Sequence, residues 1–114
     1  WEALYDNGRE HSGKDVFEWI ARGVALGAGE ILLTSVDCDG MMRGMDYELI
    51  NKACGIVNVP IIVSGGVKDA NDIVKAASMG VSAVAVGSAL HFQKATVQNL
   101  KEDVVKKGGT LRIL

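Results

Sequence analysis

Three stretches of this chain are apolar without alternation: Glu30–Ser35 (EILLTS), Pro60–Gly65 (PIIVSG) and Ser82–Ser88 (SAVAVGS). A strand with one wet face alternates apolar and polar residues, whereas a strand of a parallel sheet is covered on both faces and reads as a continuous apolar run. The three runs therefore predict parallel strands, which need helices between them to carry the chain back. Those helices are legible. Asp15–Leu26 holds Val16, Trp19, Ile20 and Val24 at helical spacing and stops at Gly27. Asp46–Val57 brings Leu49, Ile50, Ala53, Ile56 and Val57 to one face. Asp69–Met79 groups Ile73, Val74, Ala76 and Ala77 behind an Asp-rich first turn and closes at Gly80. Thr96 caps a last helix with Val97, Leu100, Val104 and Val105 inward, ended by Gly108 and Gly109. Trp1–Asn7 and Thr110–Leu114 carry too little pattern to count as barrel strands, and His11 falls in a polar loop.

Helices and parallel strands in alternation build either an open doubly wound sheet or a (β/α)8 barrel. A complete barrel takes about 250 residues. With 114 residues, the expectation is an α/β half-barrel, one domain over residues 1–114 and a fragment of a longer chain; a small open sheet is the alternative. No GxGxxG or GxxxxGK[ST] loop is present, which argues against dinucleotide and nucleoside triphosphate sites.

Composition narrows the function. Lys and Arg total 12 against 14 Asp and Glu, a formal charge of −2, so there is no basic excess to neutralise a nucleic-acid backbone. No apolar run approaches the roughly 20 residues of a membrane span, and a cytoplasmic location is expected. The two cysteines, Cys38 and Cys54, form no CxxC pair and lie in no histidine cluster; reduced thiols are expected, with no metal and no cofactor.

In sheets of this kind ligands bind beyond the carboxyl ends of the strands. After the second run comes Ser64-Gly65-Gly66, and after the third Gly87-Ser88. Glycines let backbone N–H groups approach an anion, serine hydroxyls add donors, and a following helix N-terminus adds partial positive charge. Two such tips side by side are the parts of a phosphate cup; turn chemistry is the plainer reading. After the first run, Asp37-Cys38-Asp39-Gly40 places two carboxylates at the same face. They suit acid–base work, orientation of a polyhydroxyl substrate, cation binding, or a merely solvated turn, and Asp39, held just before a glycine, is the better catalytic candidate. Glu30 opens the first strand at the opposite end. His11 and His91 stand alone, without a catalytic neighbour.

These residues bring the sequence to a known family. GAGEILLTSVDCDG (Gly27–Gly40), Gly44 and Asp46, VPIIVSGG (Val59–Gly66) and VGSALHF (Val86–Phe92) resemble the HisF family, the cyclase subunits of imidazole glycerol phosphate synthase in histidine biosynthesis. The likeness runs from WEALYDNGR at the start to LKEDVVKKGGTLRIL at the end. Cys38 stands where the family has arginine, Met41-Met42 replaces a more polar pair, and Met45 an aromatic. The resemblance implies a (β/α)8 barrel that takes ammonia from a glutaminase partner and closes an imidazole ring on a ribulosyl aminoimidazole carboxamide bisphosphate. It also implies that Ser64, Gly65, Gly66, Gly87 and Ser88 form one of two substrate phosphate sites with Gly40 in the same cup. Asp39 contacts substrate, Asn7 and Thr34 face the active-site mouth, and Glu30 belongs to the charged gate of the ammonia channel. The family's two principal catalytic aspartates lie on strands that precede this stretch. The chain alone is therefore expected to be inactive and to self-associate through its open strand edges. The alternatives are a non-catalytic phosphate-binding half-barrel module, or a HisF-like amidotransferase synthase of surface-polysaccharide sugars.

Overall fold

The computed structural model describes residues 1–111. The part of the tail from residue 112 onward lies outside the described residues. The chain opens with an antiparallel hairpin, β1 (Glu2–Tyr5) and β2 (Glu10–Asp15), and continues as α1 (Val16–Ala25), β3 (Ile31–Thr34), α2 (Tyr47–Ile56) and β4 (Ile61–Ser64). It ends with α3 (Ala70–Ser78), β5 (Ala83–Ala85), the short α4 (Ser88–His91) and α5 (Val97–Lys106). Strands β3, β4 and β5 form a parallel sheet in that order. This α/β arrangement, with each apolar run a strand and helices returning the chain, is the half-barrel architecture expected.

Local chemistry sets the helix starts. Asp15 accepts hydrogen bonds from the N–H of Phe17 and Glu18, Asp46 from Leu49, and Thr96 from Asn99. Asp69 and Asp72 make a reciprocal capping box at the start of α3. Each cap satisfies donors that the helix itself leaves unpaired, a contribution of about 1 kcal/mol apiece.

The helices cover one face of the sheet. Leu33, Ile61 and Val63 are buried there with Val16, Ile20, Leu49, Ile50, Ala53, Ile73 and Ala76, joined by Leu100 and Val104 of α5. The opposite face differs from the expectation of cover on both sides: Leu32 is 64% exposed, and Thr34, Ala83 and Ala85 are exposed as well. Because side chains alternate across a strand, this open face carries the rows Leu32–Ile62–Ala83 and Thr34–Ser64–Ala85, each aligned by the parallel register.

Other expectations are corrected. His11 is in β2, not a loop, with its ring 2.8 Å from the Glu2 carboxylate. Residues 1–7, not counted as a barrel strand, contribute β1 to a separate two-stranded sheet outside the parallel one, and the hairpin register slips between Ala3 and Leu4. Trp19, Ile56, Val97 and Val105 are exposed rather than inward. On a helix of about three turns the buried stripe is narrow: Val16 and Ile20 fill it on α1, Leu100 and Val104 on α5, and flanking apolar residues fall outside it.

Candidate functional site

The carboxyl ends of β3, β4 and β5 converge. Ser64 pairs with Thr34 on one side and Ala85 on the other, so the three strands end level. Beyond that row, Gly65-Gly66 and Val86-Gly87 leave the sheet on adjacent strands. The loop from β3 to α2 folds over the first of these tips. The Ser35 N–H donates to the Ser64 carbonyl (3.1 Å), the Asp39 N–H to the Ser35 carbonyl (2.9 Å) and the Gly44 N–H to the Gly66 carbonyl (2.9 Å).

The approach is close enough to require glycine. Gly65 and Gly66 are buried with φ of 98° and 89°, a region costly for residues with a Cβ. A Cβ on Gly65 would lie 2.7 Å from the Ser35 carbonyl oxygen, and one on Gly66 only 2.1 Å from that of Gly44. Backbone packing against the neighbouring loop thus accounts for both glycines. Their N–H groups are a separate matter: the parallel pairing of Ser64 with Ala85 directs the Gly65 N–H toward β5, while among the described residues no acceptor outside the helices and strands meets the N–H of Gly66, Gly87 or Ser88. The start of α3, in contrast, is largely occupied by its own caps. The Lys68 and Asp69 N–H groups bond the Asp72 carboxylate, and the Asn71 N–H bonds Asp69.

Asp72 is the one buried charged residue among those described, and it also accepts from the Tyr47 hydroxyl across from α2. Burial, reinforced by that bond to a carboxylate, pushes the Tyr47 hydroxyl up to about 12. The Lys75 ammonium lies 3.7 Å from the centre of the Tyr47 ring. Gly44 lies near this pair: a Cβ added to it would stand 3.8 Å from Asp72 Oδ1 and 4.0 Å from the Tyr47 oxygen. The sequence reading passed over these residues. Asp72 was detectable as the third residue after the Asp69 cap; Tyr47 carried no signal.

A second feature is a cleft of about 860 Å³ between the hairpin, α1 and the unpaired edge of β3. Asn7, Glu30, Thr34 and Asp39 all line it, together with Trp1, Trp19 and Leu32. The candidate residues therefore divide into two groups. Asn7 sits in the hairpin turn with φ of 56°, and Thr34 and Asp39 stand exposed at the end of β3 and in the loop after it. Glu30 is exposed at the far end and makes no ion pair among the described residues. Ser64–Gly66 and Gly87–Ser88 lie at the other two tips, outside this cleft, and Gly40 occupies an open turn.

The model of a family described as histidine biosynthesis protein matches residues 2–96, from the hairpin through both tips to the cap of the last helix. The chain belongs to that family. It is 41% identical over 113 residues to the imidazole glycerol phosphate synthase subunit HisF of Dictyoglomus thermophilum, covering 99% of this chain and 45% of the relative. To the subunit of the same name from Lactococcus lactis subsp. cremoris it is 40% identical over 115 residues, covering 100% of this chain and 44% of the relative. The subunit of that name from Mycobacteroides abscessus is 40% identical over 112 residues, with 98% and 44% covered. The chain thus spans under half the length of the curated relatives it matches. Its sheet is a partial barrel of this HisF-like kind, and among the described residues no helix is long and apolar enough to cross a membrane.

Proposed function

We propose that this stretch supplies the carboxyl-terminal half of a HisF-like cyclase barrel and that the tips of β4 and β5 hold one phosphate group of its substrate. The observation that carries the reading is the set of backbone N–H groups at Gly66, Gly87 and Ser88 for which no protein acceptor is found among the described residues, one of them on a buried glycine. Buried amide donors are nearly always paired, and an oxyanion is a natural partner for several at once. The Ser64 and Ser88 hydroxyls stand at the same tips, and Gly40 joins the cup from the loop after β3.

The substrate proposed is the ribulosyl aminoimidazole carboxamide bisphosphate of the HisF reaction, with ammonia delivered by a glutaminase subunit. Asp39 carries an exposed carboxylate at the mouth, accessible to take a hydrogen bond or a proton from substrate. Asn7 and Thr34 flank the same opening, and Glu30, at the amino end of β3, is assigned to the channel gate. No cofactor enters this scheme. Residues 1–114 act as one domain, and the relatives' greater length favours turnover only when the rest of the barrel is present. The test is reconstitution in trans with the remaining half-barrel and an ammonium salt. Product formation that Asp39→Asn abolishes while phosphate binding persists supports the assignment; turnover by the 114-residue chain alone overturns it.

A second reading is favoured by the open face. The outer edges of β3 and β5 are unpaired among the described residues, and Leu32 lies bare on the open face of β3. Two copies related by an axis along the strands set the β3 edge of each against the β5 edge of the other, closing six parallel strands and removing both edges. Each copy brings one phosphate cup. A self-associating, non-catalytic phosphate-binding module is the function this arrangement supports without the missing half.

A further inference from the structure

We infer that Tyr47 and Asp72 are positioning residues for the phosphate cup, holding the loop after β3 against the Gly65-Gly66 tip. The inference rests on the anion reading above and concerns what fixes the geometry of that site. Asp72 sits in the first turn of α3 and is only 7% exposed. Its carboxylate takes the N–H groups of Lys68 (2.8 Å) and Asp69 (3.4 Å) and, from the other side, the Tyr47 hydroxyl. Tyr47 is the first residue of α2, so this one carboxylate ties the starts of two successive helices together.

Gly44 lies between that tie and the cup. Its N–H donates to the Gly66 carbonyl at 2.9 Å, and a side chain added at Gly44 would point toward the Asp72 and Tyr47 oxygens. A carbonyl that accepts this bond restrains Gly66 itself, the residue whose own N–H belongs to the proposed cup. Asp46, next to Tyr47, anchors the same corner to the hairpin, because its carboxylate accepts from the Trp1 indole at 2.7 Å as well as capping α2. A helix cap alone explains the Lys68 and Asp69 bonds. It does not explain why a tyrosine three residues after the glycine that bonds the β4 tip reaches 25 residues across to the same carboxylate.

The test compares wild type, Tyr47→Phe and Lys75→Met. Lys75 packs on the Tyr47 ring and, among the described residues, forms no ion pair with Asp72, so its loss weakens packing but leaves the tie in place. Inorganic phosphate is titrated while the amide resonances of Gly44, Gly65 and Gly66 are followed, and the amide exchange of Gly44 is measured. Tyr47→Phe is expected to raise the phosphate dissociation constant and speed Gly44 exchange about fivefold each, the equivalent of one hydrogen bond. Lys75→Met is expected to leave both near wild type even where it lowers the melting temperature. In wild type, saturating phosphate slows Gly44 exchange, since coupling is reciprocal; this readout needs no folded variant. Phosphate binding that Tyr47→Phe leaves unchanged, equal losses in the two variants, or Gly44 exchange indifferent to phosphate overturns the inference. A wild type that binds no phosphate overturns the anion reading beneath it instead.

Discussion

Replacing Gly66 by alanine isolates the contact on which the site geometry depends. Two costs combine. A residue with a Cβ at φ 89° is strained by about 1–2 kcal/mol. The new methyl also falls 2.1 Å from the Gly44 carbonyl oxygen and 2.9 Å from the Cys38 Cβ, and relieving such an overlap costs about 1–3 kcal/mol. The obstacle is backbone, so no flexible side chain yields. Gly80→Ala provides the reference, because Gly80 has φ 94° with nothing within 4 Å of its built Cβ. It bears the strain alone. Gly66→Ala is therefore expected to be less stable than Gly80→Ala by about 2 kcal/mol, which moves a urea midpoint by about 1 M and a melting temperature by roughly 8 °C. Urea denaturation with unchanged slope is the assay. Equal midpoints for the two variants refute the claim that the loop and the β4 tip are in backbone contact.

The other predictions concern charge and association. Burial pushes the Asp69 carboxyl upward, but the Asn71 N–H and the Lys68 charge more than offset this and leave it below its ordinary 3.8. Its contribution to stability is thus complete above that value and lost as pH falls through the lower folded value; Asp69→Asn, which keeps the cap, is expected to flatten the acid limb of a stability profile. Tyr47 gives the opposite sign: its contribution is complete below pH 10 and lost as pH rises toward about 12, and Tyr47→Phe removes that alkaline slope. Leu32→Glu places a charge on the open face of the sheet. Sedimentation is expected to show the variant folded and monomeric where the wild type associates, and a wild type that is monomeric at all concentrations contradicts the closed six-stranded arrangement.

Much of this fold is written in short-range chemistry. The continuous apolar runs at Glu30–Ser35, Pro60–Gly65 and Ser82–Ser88 contain strands β3, β4 and β5, and the caps Asp15, Asp46, Asp69 and Thr96 stand at the helix starts. These features are legible because each depends on residues a few positions apart. The hairpin was not. Strand β2, EHSGKD, has no apolar alternation, and it is held by pairing with β1 and by the Glu2 carboxylate, which meets both His11 and the Gly13 N–H. Helix α4 has only four residues, too few for a periodic signal. In the candidate site, Ser64-Gly65-Gly66 and Gly87-Ser88 stood out by composition. The reason Gly66 must be glycine did not, since it lies in the carbonyl of Gly44, a residue of another loop. Tyr47 was unreadable for the same cause: its importance comes from a carboxylate one helix later.

The central claim is that the β4 and β5 tips together hold an oxyanion, and titration of the isotopically labelled chain with inorganic phosphate addresses it most directly. Saturable shifts centred on the amides of Gly65, Gly66, Gly87 and Ser88, absent with chloride at equal ionic strength, are the predicted result. Shifts scattered over surface lysines, or none at these four amides, contradict it.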